Sequence, residues 1–305
     1  MTGPDLKIKI GGWTLKNPIM TASGTFGYGE EFTPYLNLED LGAVVVKGIS
    51  LEPRSGNPPP RIVETPCGML NAIGLENVGL EKFISTKMQI FRKYNTDFVV
   101  NILGDSVEEY STLAARLNDT DIAAIEVNIS CPNVKKGGVA FGVDPQMAYE
   151  VTQAVRRRTD KPLIIKLSPN VTDITVMAKA AEDGGADAVS LINTLLGMAI
   201  DPATRKPKLA NIVGGLSGPA IKPVALRMVW QASKRVRIPV IGIGGIRTTE
   251  DVIEFMLAGA SAVQIGTANL IDPGVSGNIV KGLLGYLKQH KISSVRELIG
   301  GLKTP

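Results

Sequence analysis

The residues best suited to chemistry are the polar groups that close a series of otherwise apolar runs. Ser23 closes the first run, Lys47 the second, Asn101 the third and Asn128 the fourth. Lys166 stands in the fifth, Asn193-Thr194 end the sixth, Gly244-Gly245 the seventh and Gly266-Thr267 the eighth. One such residue would read as a strand end meeting solvent; eight in succession put polar groups on one rim. The two glycine-containing pairs add backbone N–H groups that an anion can approach, the usual phosphate site of an α/β barrel. IGIGGI followed downstream by IGTAN is a stronger signal than either glycine turn alone.

Cys131 follows the fourth run, in NISCPNVKKGGVAFG. A cysteine is more often a small buried hydrophobe than a catalyst. This one stands beyond a strand end on a glycine-rich loop, and a thiol with an ordinary pKa of about 8.5 can serve as a general base near neutral pH. The single histidine, His290, lies in a C-terminal helical segment and reads as a surface residue, which disfavours Ser/His and Cys/His catalysis. Lys166 has three open roles: a fixed charge for an anionic reduced flavin, a Schiff-base nucleophile, or a structural ion pair with Glu126.

These residues need a scaffold that brings strand ends together. The runs are Pro18–Ser23, Ala43–Gly48, Phe98–Ile102, Ala124–Ile129, Leu163–Leu167, Ala188–Thr194, Pro239–Gly245 and Ala262–Thr267. Most are continuously apolar, as expected of parallel strands covered by helices on both faces. Between them, Asp105–Asn118, Pro219–Arg235 and Thr248–Gly259 carry helical spacing. The alternation predicts an α/β fold, a (β/α)8 TIM barrel over residues 1–305, with Lys7–Leu15 as an N-terminal hairpin. No GxGxxG follows the first strand, so an open dinucleotide-binding sheet is disfavoured. Ser50–Glu76, Ser130–Asp144 and Leu195–Gly218 are longer than a barrel requires and read as long loops over its C-terminal face.

Composition narrows the function. The net charge is only +4 and the basic clusters are short, which disfavours nucleic-acid binding. Two cysteines, Cys67 and Cys131, cannot build a disulfide framework or a four-thiolate cluster. Cys67 reads as a small packing residue. The N-terminal stretch lacks the apolar region of a signal peptide, and no apolar run is long enough for a membrane span, so the expected location is the cytoplasm.

Along essentially its whole length the chain resembles the catalytic subunit of class 1 dihydroorotate dehydrogenases. The resemblance rests on MTASGTFGYG, VVVKGIS, NAIGLEN, NISCPNVKKGG, INT, GGLSGPAIKP, IGIGGI and IGTAN, in that order. It implies FMN on the barrel mouth and oxidation of dihydroorotate to orotate in pyrimidine synthesis. Cys131 would remove the C5 proton while the C6 hydride passes to the flavin. Lys47, Asn71, Ala72, Ile73, Gly74, Leu75, Asn128, Asn193 and Thr194 would bind the substrate. Ser23, Lys47, Gly48, Asn101, Asn128, Lys166, Ile192, Gly218, Gly244, Gly245, Gly266 and Thr267 would hold FMN.

A cysteine base is the class 1 pattern; class 2 enzymes use serine. NAIGLEN and CPNVKKGG are similar to the 1B form, which implies a partner subunit carrying FAD and a [2Fe–2S] cluster, with NAD+ as final acceptor. A homodimer core within a heterotetramer follows from the same resemblance. The alternatives are a fumarate-using 1A enzyme, a related dihydropyrimidine dehydrogenase, a flavin-free lyase or isomerase using Lys166, and a non-catalytic scaffold.

Overall fold

The computed structural model describes residues 3–130 and 141–304. Its strands are β1 (Ile8–Ile10), β2 (Trp13–Leu15), β3 (Ile19–Thr21), β4 (Ala43–Val45), β5 (Ile62–Thr65), β6 (Gly68–Asn71), β7 (Asp97–Ile102) and β8 (Ala124–Asn128). They continue as β9 (Leu163–Lys166), β10 (Ala188–Leu191), β11 (Leu195–Met198), β12 (Ile200–Asp201), β13 (Lys206–Pro207), β14 (Val213–Ser217), β15 (Val240–Ile243) and β16 (Ala260–Ile265).

Eight of these close a barrel in the order β10-β15-β16-β3-β4-β7-β8-β9. Every neighbouring pair runs parallel. Each barrel strand falls on one of the eight apolar runs, and the (β/α)8 expectation holds. The seam between β3 and β4 has a single paired position, Met20 with Ala43. Thr21 reinforces it: its hydroxyl accepts from the Val45 N–H at 2.9 Å and donates to the Val45 carbonyl at 3.2 Å.

Helices Val107–Asn118, Pro145–Arg156, Ile174–Asp183, Lys222–Arg235, Thr249–Leu257 and Val275–Gln289 follow their strands, each with an apolar stripe buried. Their starts are set by local chemistry. Ser106, Asp144 and Asp173 cap three of them, and Thr248 forms a capping box with Asp251. After β3 the helix is replaced by two single 3-10 turns, Glu30–Phe32 and Leu38–Asp40. The Lys7–Leu15 segment is the expected hairpin, β1 pairing with β2 around Gly11 at φ 55°.

Two of the three long connections are not plain loops. Parts of Ser50–Glu76 and Leu195–Gly218 form a four-stranded antiparallel sheet in the order β11-β14-β6-β5. It brings Asn71 opposite Gly215 and Met69 opposite Ser217. The third connection, Ser130–Asp144, lies mostly outside the described residues.

The barrel strands are almost wholly buried, and their interior is unusually polar. Asn101, Glu126, Ser190 and Gln264 have no exposed surface, and Lys166 only 5%. Barrel interiors are usually filled by branched apolar side chains. Buried polar groups must be paired, so this layer is constrained by its own hydrogen bonds.

Candidate active site

At the C-terminal ends of the barrel strands lies a cavity of about 250 Å³. Its wall includes Ser23, Lys47, Gly48, Asn101, Asn128, Lys166, Ile192, Gly218, Gly244, Gly245, Gly266 and Thr267. Asn71, Ala72, Ile73, Gly74 and Leu75 line it as well, together with Asn193 and Thr194. All the candidate residues within the described chain therefore meet in one place. Cys131 lies outside the described residues.

The polar groups of the wall are held by partners behind them. Lys166 donates to the Ser23 hydroxyl at 3.0 Å and stands 3.8 Å from Glu126. Of the three roles open to Lys166, the ion pair is thus present, and it leaves the ammonium lining the cavity. Asn128 and Asn193 are joined through Ser130, whose hydroxyl donates to Asn128 Oδ1 at 2.6 Å and accepts from Asn193 Nδ2 at 2.5 Å. Tyr110 fixes the strand end from outside, its hydroxyl donating to the Asn128 carbonyl at 2.8 Å. Asn170 steadies the next turn by donating to the Thr194 carbonyl and accepting from the Leu196 N–H.

The Asn71–Leu75 segment is pinned from the loop before it. The Ala72 N–H donates to the Arg61 carbonyl, the Asn57 amide donates to the Ala72 carbonyl, and the Asn57 N–H donates to the Ile73 carbonyl. Arg61 pairs with Glu76 at 2.5 Å, which neutralises the one carboxylate of the cavity wall. Lys47 has no such partner among the described residues, so its ammonium is available to an anionic ligand.

The glycines of the rim differ in what requires them. Gly245 has φ 74°, and a Cβ there would lie 2.7 Å from Lys222 Cβ and 3.0 Å from the Gly218 carbonyl oxygen. Its own protein excludes a side chain. Gly266 is different: the nearest atom to an added Cβ is Ala22 Cβ at 3.5 Å, an ordinary contact. Nothing in the chain itself demands glycine there, which fits a position that a ligand approaches closely. Beside it the Thr267 hydroxyl donates to Ser217 Oγ at 2.7 Å, tying the eighth strand end to β14.

The turn after β15 is fastened to two helix starts. Asp251 accepts from the N–H groups of Arg247 and Thr248, and Lys222 pairs with Asp251 at 2.5 Å and Glu254 at 3.0 Å. Burial works against the Asp251 carboxylate, but the Lys222 ammonium and the two backbone donors outweigh it and hold its pKa below the ordinary value. Burial likewise opposes the charge on Lys222, and hydrogen bonds to Asp251 and Glu254 prevail, raising its pKa.

Sequence reasoning missed Ser130, Ser217, Met69 and Arg247. Ser130 had a visible signal, lying between Asn128 and Cys131 in NISCPN. Ser217 had one as well, directly before Gly218 in GGLSGPAIKP, whereas Met69 had none, since a long-range strand pairing puts it on the cavity. Cys67 is not the packing residue expected: it is exposed at the turn between β5 and β6. The two-residue connection, Pro66-Cys67, leaves a side chain there nothing to pack under. His290 is exposed, as expected, against Tyr286. Among the described residues no group of histidines, cysteines or carboxylates is arranged to hold a metal ion, and no helix is long and apolar enough to cross a membrane.

A closed parallel barrel whose mouth gathers amides, two ammonium groups and glycine turns has the architecture of a (β/α)8-barrel enzyme. The dihydroorotate dehydrogenase family matches over residues 5–287, and the chain belongs to that family. The chain is 60% identical over 305 residues to "Dihydroorotate dehydrogenase B (NAD(+)), catalytic subunit" of Geotalea uraniireducens (strain Rf4), covering 100% of both chains. It is 60% identical over 304 residues to proteins of the same name from Geotalea daltonii and Geobacter sulfurreducens, covering 99% of this chain and 100% of each relative.

Proposed function

We propose that this chain is the catalytic subunit of an NAD+-linked dihydroorotate dehydrogenase, oxidising dihydroorotate to orotate for pyrimidine synthesis with one FMN per chain. The observation that carries the reading is the meeting of Lys166, Lys47 and the amides of Asn71, Asn101, Asn128 and Asn193 on one cavity. This occurs in a chain similar over its full length to enzymes so named.

Three features support the fit of FMN. Asn101 Oδ1 is buried, has no hydrogen-bond partner among the described residues and belongs to a residue of the cavity wall, which suits acceptance from a ring N–H. Gly266, where the chain itself would tolerate a side chain, stands beside Gly244, Gly245 and Thr267 on the cavity wall, where backbone N–H groups could meet a phosphate. The Lys166 ammonium favours negative charge on a reduced ring system. Ser23, Lys47, Gly48, Asn128, Ile192 and Gly218 complete the cofactor set.

FMN, when bound, supplies the hydride acceptor. The chain's residues do the rest. Lys47 neutralises the substrate carboxylate. Asn71, Asn128, Asn193 and Thr194 hydrogen-bond the ring amides, while Ala72, Ile73, Gly74 and Leu75 wall off water. Cys131 takes the C5 proton. The Ser130 hydroxyl, one residue before Cys131, couples the orientations of Asn128 and Asn193.

In this reading residues 1–305 act as one barrel domain in the cytoplasm. Electrons leave through a separate subunit with FAD and a [2Fe–2S] cluster, on a homodimer core of this chain within a heterotetramer. The NAD(+) in the relatives' names supports NAD+ over fumarate as the final acceptor. The test is the visible spectrum of the purified protein before and after anaerobic dihydroorotate. A flavin band that bleaches is expected; a colourless protein that takes up no FMN would refute the reading.

A further inference from the structure

Glu126 is charged, wholly buried and unused by the reading above. It lies on β8 and is contacted from four other barrel strands, β7, β9, β10 and β16, which can meet it only inside the barrel. Its carboxylate accepts from Asn101 Nδ2 at 2.7 Å, Ser190 Oγ at 2.9 Å and Gln264 Nε2 at 2.6 Å. Lys166 Nζ stands 3.8 Å away. A buried carboxylate is tolerable only when paired and hydrogen-bonded, so the donors around it are held firmly.

This arrangement has a directional consequence. An ionised carboxylate only accepts hydrogen bonds, so Asn101 and Gln264 must each turn their NH2 groups toward it. Their carbonyl oxygens then face elsewhere, and both are buried without a partner among the described residues. The Asn101 oxygen lies toward Gly48, where an added Cβ would come within 2.8 Å of it, and both residues line the cavity. Ser190 and Gln264 do not belong to the cavity wall, so Glu126 links a hidden polar layer to the ligand-facing one.

We propose that Glu126 is a positioning residue for the bound flavin. It fixes the Asn101 carbonyl toward the ligand and sets how much of the Lys166 charge the ligand feels. The proposal rests on the FMN reading. Removing the carboxylate charge leaves Lys166 less compensated, which favours the more negative, reduced flavin. Removing the carboxylate acceptor also frees the Asn101 amide, which weakens binding of the oxidised form.

The experiment is FMN titration of the stripped protein, with the two-electron potential of the reloaded protein, for wild type, Glu126→Gln, Glu126→Asp and Ser190→Ala. For Glu126→Gln the FMN dissociation constant should rise about tenfold. The ratio of reduced- to oxidised-flavin affinity should also rise about tenfold, equivalent to about 30 mV for a two-electron couple. Glu126→Asp keeps the charge and shortens the reach, so FMN binding should weaken while that ratio stays within twofold of wild type. A merely structural role would not separate the two readouts. Ser190→Ala removes one donor and leaves the carboxylate charge less offset, so the ratio should fall at least twofold. An unchanged ratio in Glu126→Gln overturns the proposal whatever happens to thermal stability. Should that variant not fold, an unchanged ratio in Ser190→Ala overturns it. Wild-type protein that takes up no FMN fails the functional reading instead.

Discussion

Gly266→Ala separates a glycine needed by a ligand from one needed by the fold. The added methyl meets Ala22 Cβ at 3.5 Å and nothing nearer, and Gly266 does not have a left-handed φ. The substitution therefore costs the folded chain little, and loss of glycine freedom in the unfolded chain favours stability by about 0.4–1 kcal/mol. On the proposed FMN reading, the same methyl would keep a phosphate from close approach to the backbone there. Losing one charge-assisted hydrogen bond costs about 1.5–3 kcal/mol, which is roughly a 10- to 150-fold weaker FMN affinity. Calorimetric melting of the stripped protein and flavin-fluorescence titration read the two quantities separately. The expected result is an unchanged or slightly raised Tm with FMN binding at least tenfold weaker. FMN binding within twofold of wild type would refute the phosphate assignment of Gly266. A drop in Tm of the stripped protein would show that the fold itself requires the glycine.

Two further outcomes test the proposed function and the helix start after β15. Cys131→Ala should retain yellow FMN yet show no bleaching with anaerobic dihydroorotate, checked by stopped-flow absorbance; undiminished reduction would remove Cys131 from the mechanism. Asp251→Asn should flatten the acid limb of the stability curve. Because the folded pKa of Asp251 is depressed, its contribution is complete above the unfolded carboxylate value of about 3.9 and is lost as pH falls through the lower folded value. Denaturant melts of the variant should converge on wild type once the pH lies below the depressed folded pKa of Asp251, and fall short of it at pH 7. Parallel curves for the two proteins would refute the assignment.

The barrel was legible in the sequence because parallel strands buried on both faces leave unbroken apolar runs such as Leu163–Leu167, whatever they pair with. The rim was legible for a related reason: Lys47, Asn101, Asn128 and Lys166 interrupt or end those runs. The four-stranded sheet over the mouth was not. Its strands are half-exposed, β14 carries Gly214 and Gly215, and the β5–β6 turn is Pro66-Cys67 and not an Asn-Gly pair that would announce a hairpin. Its central pairing joins Asn71 to Gly215, 144 residues further along the chain, and no local pattern encodes that.

Glu126 shows the same limit at the level of one side chain. Within AIEVN it reads as a lone charge in a strand, with Lys166 as its evident partner. Its closest hydrogen bond is to Gln264, 138 residues away, and exists only once β16 has closed the barrel. Closure is therefore what turns the carboxylate from a cost into a constraint. Before closure it lacks Gln264 and has only Asn101 of the adjacent strand; after closure both amides are committed and their oxygens are left over. An apolar residue at this position would spare the desolvation and leave the Asn101 amide free to turn. The charge in the barrel interior is thus best understood as serving the orientation of the cavity floor, with the stability of the barrel resting on the apolar strands around it.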